Sequence, residues 1–266
     1  MPDVIVPAPI DVPEAQLDDL RTRLARTRWP ERETVEDWSQ GVPLAYLQEV
    51  CSTWRDEYDW RCCERELNRY GQLRFVDVGP DGAPLGIQVL HAPSPHADAL
   101  PLVLTHGWPG STVEFLDVVE ALRDPAANGR DAADAFHVVC PSLPGYGFSD
   151  RPASTGWNVE AIADSWARLM SALGYERFGA QGGDWGAMIT SALGTGMPDN
   201  VAGIHVTMPL AQRPPEGEVP PLTKAEQAAL NDRRLFQARG TGYSAEQSTR
   251  PQTIGYGLLD SPAAQC

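Results

Sequence analysis

Between residues 100 and 207, short apolar runs alternate with longer amphipathic stretches, and this rhythm restricts the possible folds more than any other feature. Leu100–Thr105 and Phe136–Cys140 are largely apolar segments of strand length, and Arg177–Gln181 and Val201–Val206 repeat the pattern. Between them, Val113, Leu116, Val119 and Leu122 share one helical face, and Ile162, Trp166, Leu169 and Leu173 do so more clearly within Asn158–Leu173. Strands that read as unbroken apolar runs are buried on both faces, which is the habit of parallel strands joined by crossover helices. The expected fold class is therefore α/β, a mainly parallel sheet with helices on both faces.

The flanks read differently. Residues 1–70 carry helical periodicity: Asp11-Val12-Pro13-Glu14 is a helix start, and Leu17, Leu20 and Leu24 fall on one face. Pro43 opens a second segment with Leu44, Leu47, Cys51 and Trp54 in register. From Leu73 the period shortens, and two runs around Phe75-Val76 and Ile87–Leu90 flank the turn Gly79–Pro84, which predicts a strand pair. Five prolines within Pro209–Pro221 end the alternation, and Thr223-Lys224-Ala225-Glu226 is a capping box that opens a new helix. The division expected is a helical extension over 1–72, an α/β core over 73–208, and the start of a helical cap over 209–266.

Composition excludes several classes of function. A formal charge of −15 over 266 residues argues against nucleic acid and anionic membranes, both of which select basic patches. No apolar run approaches the ~20 residues of a membrane helix, and the N-terminus does not read as a signal peptide. The five cysteines are scattered without metal-ligand spacing, so reduced thiols in a cytoplasmic protein with no metal is the expectation.

The segment Gly182-Gly183-Asp184-Trp185-Gly186 falls between a predicted strand and a predicted helix. Small-x-nucleophile-x-small is the frame of the nucleophile elbow of α/β-hydrolases, here with Asp where many members carry Ser. Its glycines are required because side chains two residues either side would strike neighbouring backbone. A carboxylate nucleophile suits an sp³ carbon with a strained or good leaving group, since attack gives an alkyl-enzyme ester; on an acyl ester it would give only a labile anhydride. Asp184 thus points to epoxide or haloalkane opening. A second segment, His106-Gly107-Trp108-Pro109-Gly110, follows the first core strand, where this fold draws one backbone donor of its oxyanion hole. The donors expected are the amides of Trp108 and Trp185, with both indoles lining the pocket, while His106 organises the loop.

With these pieces in place, the chain resembles the epoxide hydrolase family that includes the microsomal enzymes and carries a helical extension before its α/β-hydrolase core. The matching segments are the Pro9–Trp29 start, HGWPG at 106–110, SLPGYGFS at 142–149, GGDWG at 182–186 and GYSAEQSTRPQTIGY at 242–256. The resemblance implies Asp184 as nucleophile and Tyr243 as one of two cap phenols that bind the epoxide oxygen and protonate it. It implies a small apolar epoxide as substrate and no cofactor. Tyr256 and Tyr146 keep an ordinary structural reading, with Tyr146 a candidate for the pocket rim.

In that family the second tyrosine, the acid and the catalytic histidine follow the first cap tyrosine, and this sequence ends at Cys266. Of the five histidines (His91, His96, His106, His137 and His205) only His205 follows Asp184, and it falls on a predicted strand. The expectation is a C-terminally truncated chain without the last sheet strands, with an exposed sheet edge that favours a homo-oligomer, and able to form the ester without clearing it. Two other readings are a haloalkane dehalogenase, which shares the Asp-Trp elbow, and a binding protein that keeps the pocket without turnover.

Overall fold

The computed structural model describes residues 4–209 and 221–266. In chain order the elements are β1 (Ile5–Pro7), α1 (Glu14–Ala25), α2 (Leu44–Asp56), α3 (Trp60–Asn68), β2 (Gly71–Val78), β3 (Pro84–Ala92), β4 (Leu100–Thr105), α4 (Leu116–Arg123), β5 (Phe136–Pro141), α5 (Val159–Ala172), β6 (Phe178–Gly182), α6 (Trp185–Gly196), β7 (Val201–Val206), α7 (Lys224–Arg239), α8 (Gly242–Thr249), α9 (Pro251–Asp260) and α10 (Pro262–Gln265). One seven-stranded sheet runs in the order β1-β2-β3-β5-β4-β6-β7. Strands β5, β4, β6 and β7 are parallel, and β1, β2 and β3 extend the sheet antiparallel from β5. The burial patterns follow this split. β4 and β5 bury every residue of their second halves and β6 buries four of its five, whereas β2 alternates.

Most elements lie where periodicity puts them, and the exceptions have local causes. β1 departs from the helical reading of residues 1–70, because Ile5-Val6-Pro7 finds an open partner in β2 and pairs Ile5 with Phe75. α1 starts at Glu14 with Pro13 at its cap and no side-chain cap bond, so Asp11 does not cap it. The helix expected around Val113 begins as a 3₁₀ turn, Thr112–Phe115, capped by the Ser111 side chain, before α4. The capping box of α7 forms as read, with Thr223 and Glu226 each bonding the other's backbone. The proline-rich break lies largely in 210–220, outside the described residues.

Two compact units divide the chain: residues 1–11 with 60–211, and residues 12–59 with 212–266. This partition by contact differs from three consecutive segments. The core of the first unit is built where α5 and α6 meet the sheet: Trp166, Leu169 and Met170 of α5 and Ile189 and Leu193 of α6 are buried against Ile87, Val89, Val103, Val139 and Phe178. Trp166 keeps its indole N–H satisfied by donating to the Thr105 hydroxyl at 3.0 Å. In the second unit Leu24, Cys51 and Ala263 form a small cluster with Leu20, Trp29, Leu47 and Trp54. Sequence-distant α1, α2 and α10 are thereby joined, which no local pattern announces.

Candidate active site

The chain passes from β6 to α6 in two residues, Gly183 and Asp184. Asp184 takes φ 51° and ψ −123°, the one positive-φ non-glycine among the described residues. Such a conformation costs an L-residue on the order of 1–3 kcal/mol and persists only when its surroundings enforce it. Glycines do so here. A Cβ on Gly182 would sit 2.1 Å from the Gly186 carbonyl oxygen, and one on Gly186 would sit 2.0 Å from that of Thr105. A Cβ on Gly107 would sit 2.4 Å from the Asp184 Cβ. Three backbone segments therefore crowd the turn that carries Asp184, which accounts for the small residues two positions either side of it.

The Trp108 amide donates to Asp184 Oδ1 at 2.8 Å. This brings HGWPG onto the elbow, with a cis peptide between Trp108 and Pro109. Trp185 is the first residue of α6, where amide groups lack an intrahelical acceptor, and its side chain remains 46% exposed. Asp184, Trp108 and Trp185 thus stand together in the first unit. Tyr243 belongs to the second unit, on α8, and is 50% exposed.

His106 is wholly buried and both its ring nitrogens are engaged. The Leu143 amide donates to Nε2 at 3.0 Å, so the ring hydrogen sits on Nδ1 and is donated to the Gly107 carbonyl, also at 3.0 Å. Burial holds its pKa below the usual imidazole value, so the ring is a neutral tie between two loops. The other histidines lie elsewhere in the fold. His91 Nε2 meets the Tyr175 hydroxyl, His137 stacks on the same ring, His96 faces Asp124, and His205 is on β7.

The carboxylate has two further neighbours, Glu114 and Tyr146, of which only Tyr146 is read from the sequence, as a candidate for the pocket rim. Burial raises the Glu114 carboxyl pKa and the charge of Asp184 adds to this, against a hydrogen bond from the Gly107 backbone. Tyr146 packs edge-on to His106, and its phenol is likewise raised by burial and then by Asp184. An acid set into the apolar stretch Val113-Glu114-Phe115-Leu116, close behind HGWPG, was the available signal for Glu114.

Known proteins match this arrangement along its whole length. Residues 5–115 match the family described as epoxide hydrolase N terminus, and residues 101–259 match the alpha/beta hydrolase fold family. A Stigmatella aurantiaca protein provisionally named an epoxide hydrolase is 54% identical over 98% of this chain and 58% of its own length. Epoxide hydrolase 1 of Sus scrofa is 32% identical over 97% of this chain and 60% of its own. Among solved structures, Aspergillus niger epoxide hydrolase superposes with a TM-score of 0.82 at 33% identity, covering 97% of this chain and 66% of that one. Juvenile hormone epoxide hydrolase from the silkworm Bombyx mori gives 0.77 at 30%, covering 98% and 61%. The chain therefore spans about three-fifths of the length of these curated relatives. No helix among the described residues is long and apolar enough to cross a membrane. With its elbow and its mixed sheet, the chain belongs to the alpha/beta hydrolase fold family, and its N-terminal part is similar to the region described as epoxide hydrolase N terminus.

Proposed function

We propose that the chain opens epoxides through Asp184. One carboxylate oxygen attacks an oxirane carbon, the C–O bond breaks, and the alkoxide takes a proton from the Tyr243 phenol. An alkyl ester of Asp184 results. The observation that carries this reading is the carboxylate held at positive φ with Oδ1 on the Trp108 amide. That donor sits where negative charge gathers on the ester carbonyl oxygen when water adds, and the Trp185 amide is its expected companion. Water then releases a vicinal diol and restores Asp184.

The second step needs a base to activate water, and such a base is worth roughly 10²–10⁴ in rate. Four of the chain's five histidines are engaged elsewhere in the fold, and His205 lies on β7. In this reading the isolated chain forms the ester and holds it. The same placements favour a second reading, a protein that binds apolar epoxides without reacting. Incubating the chain with styrene oxide separates the two: one added substrate mass on the peptide bearing Asp184 is expected. Asp184→Asn should give no adduct while folding normally, because Asn keeps the oxygen that accepts the Trp108 amide. Adduct formation in that variant would remove Asp184 from its role, and a folded wild type that binds but never gains mass would favour the second reading. We also assign the protein to the cytoplasm, on five cysteines none of which forms a disulfide, which fractionation of the source cells would check.

A further inference from the structure

Cys51 and Cys266 stand far apart in sequence and side by side within the second unit. Cys51 lies on α2 and is 3% exposed. Leu47, one turn before it, and Trp54, one turn after it, pack against the cluster that Cys51 forms with Leu24 of α1 and Ala263 of α10. Cys266 caps α10, its amide donating to the Pro262 carbonyl at 3.0 Å. It therefore lies one turn beyond Ala263, on the same helical face. The helix that covers Cys51 with Ala263 also brings Cys266 to it, and the two thiols share a hydrogen bond.

The two sulfurs differ in access. Cys51 is buried and Cys266 is exposed. Burial holds the Cys51 thiol above its ordinary pKa, and the neighbouring Cys266 adds to this, so Cys51 is a poor nucleophile toward reagents in solution. Cys266 is open to them. α10 itself is short, with Ala263 its one buried residue and a cap in which the Ser261 hydroxyl accepts the Ala264 amide at 3.3 Å.

We propose that Cys51 and Cys266 close into a reversible disulfide by exchange with a small disulfide of the glutathione type. The Cys266 thiolate attacks one sulfur of the reagent, whose S–S bond breaks, and a glutathione thiolate leaves. Cys51 then gives up its proton and attacks the Cys266 sulfur of the mixed disulfide, and the second glutathione leaves. Two protein thiols are oxidised and one glutathione disulfide is reduced to two thiols. The protons lost by the cysteines go to the departing thiolates. Closure pins α10 to α2. In a cytoplasm whose glutathione keeps thiols reduced, the pair stays open until the disulfide accumulates. The exchange is independent of Asp184.

Incubating the folded chain with oxidised glutathione and mapping its peptides without reduction tests the proposal. One cross-link is expected, joining the Cys51 peptide to the Cys266 peptide with loss of two hydrogen masses, and dithiothreitol should reverse it. Cys51→Ser should stop at the mixed disulfide on Cys266. Cys266→Ser should slow modification of Cys51 roughly tenfold or more, because the exposed thiol that starts the exchange is gone. Replacing an exposed residue leaves the fold intact by circular dichroism, so this variant reports even if Cys51→Ser does not fold. Hydrogen exchange at the Ala264 and Cys266 amides should slow roughly tenfold or more when the wild type is oxidised, and stay unchanged in Cys266→Ser. A folded wild type that halts at the mixed disulfide on Cys266 would overturn the proposal. So would a link from either residue to Cys62, Cys63 or a second chain in place of the expected one.

Discussion

The turn at Gly182–Gly186 and the helices α7 to α9 are built by opposite rules. At the turn, one carboxylate is held in a conformation it would not adopt alone, because β4, the HGWPG loop and α6 leave it no other space. Along α7, α8 and α9 no residue is buried, and Leu235, Phe236, Tyr243, Tyr256 and Leu259 are at least half exposed. The first region is fixed by contacts distant in sequence. The helices depend largely on local terms, the capping box of α7 and the prolines at the starts of α9 and α10, with one sequence-distant cluster anchoring Ala263 just beyond them. Backbone geometry that must be held against strain sits in the first region, while exposed apolar side chains sit in the second.

The sharpest way to break this contrast is Gly186→Ala. The added Cβ would meet the Thr105 carbonyl at 2.0 Å, and neither backbone can yield without disturbing β4. Overpacking of a side chain costs about 1–3 kcal/mol, and a clash of backbone with backbone belongs at or above that limit. Urea unfolding should show a loss of about 3 kcal/mol or more, or no folded protein. A loss under about 1 kcal/mol would mean that the elbow is pliable.

The same contrast explains what the sequence discloses. The elbow was legible because sterics write themselves into composition: Gly182, Gly186 and Gly107 leave a spacing that survives without coordinates. The parallel strands were legible because burial on both faces leaves unbroken apolar runs. β1 was not, since three residues are too few to carry a period and Ile5–Pro7 becomes a strand only through β2. Nor was Glu114, whose place beside the elbow depends on how separate loops meet. Tyr243 was singled out through family resemblance, and its own surroundings in sequence give no physical reason for the choice.

Acid should separate the two units next, because all five histidines lie in the first. His91 is held neutral in the sheet, its pKa lowered to about 4 by burial and then by His137. The unfolded chain therefore binds this proton more readily. Stability is fully present above the ordinary imidazole pKa of about 6.5 and is lost as pH falls toward 4. The loss from His91 amounts to at most about 3 kcal/mol, less whatever its partial exposure returns to solvent. Hydrogen exchange at pH 5 and pH 7 should show protection lost in β3 and β5 before α1 and α2, and His91→Gln should lessen the difference. Equal loss in both units would place the acid sensitivity elsewhere.

A smaller effect is expected from Tyr243→Phe. With Tyr243 half exposed, loss of one hydroxyl should leave the melting temperature unchanged. If the phenol protonates the opening oxirane, the rate of Asp184 adduct formation with styrene oxide should fall by up to ~10², the scale of one well-placed donor. An unchanged adduct rate would show that the proton comes from another group, with Tyr146 the first to test.

Gly257→Ala probes the other side of the contrast and should have the smallest effect, of opposite sign to Gly186→Ala. Gly257 lies inside α9, and a Cβ there would meet nothing within 4 Å. A helical glycine without a steric reason to be one costs backbone entropy, and alanine recovers roughly 0.5–1 kcal/mol of it. Since α9 buries no side chain, little else opposes that gain. Hydrogen exchange within Pro251–Asp260 should slow several-fold, with the sheet of the first unit unaffected. A destabilised variant would mean that the Gly257 face is occupied, so that α9 is held by contact rather than by local propensity, and the distinction between the two regions would have to be redrawn.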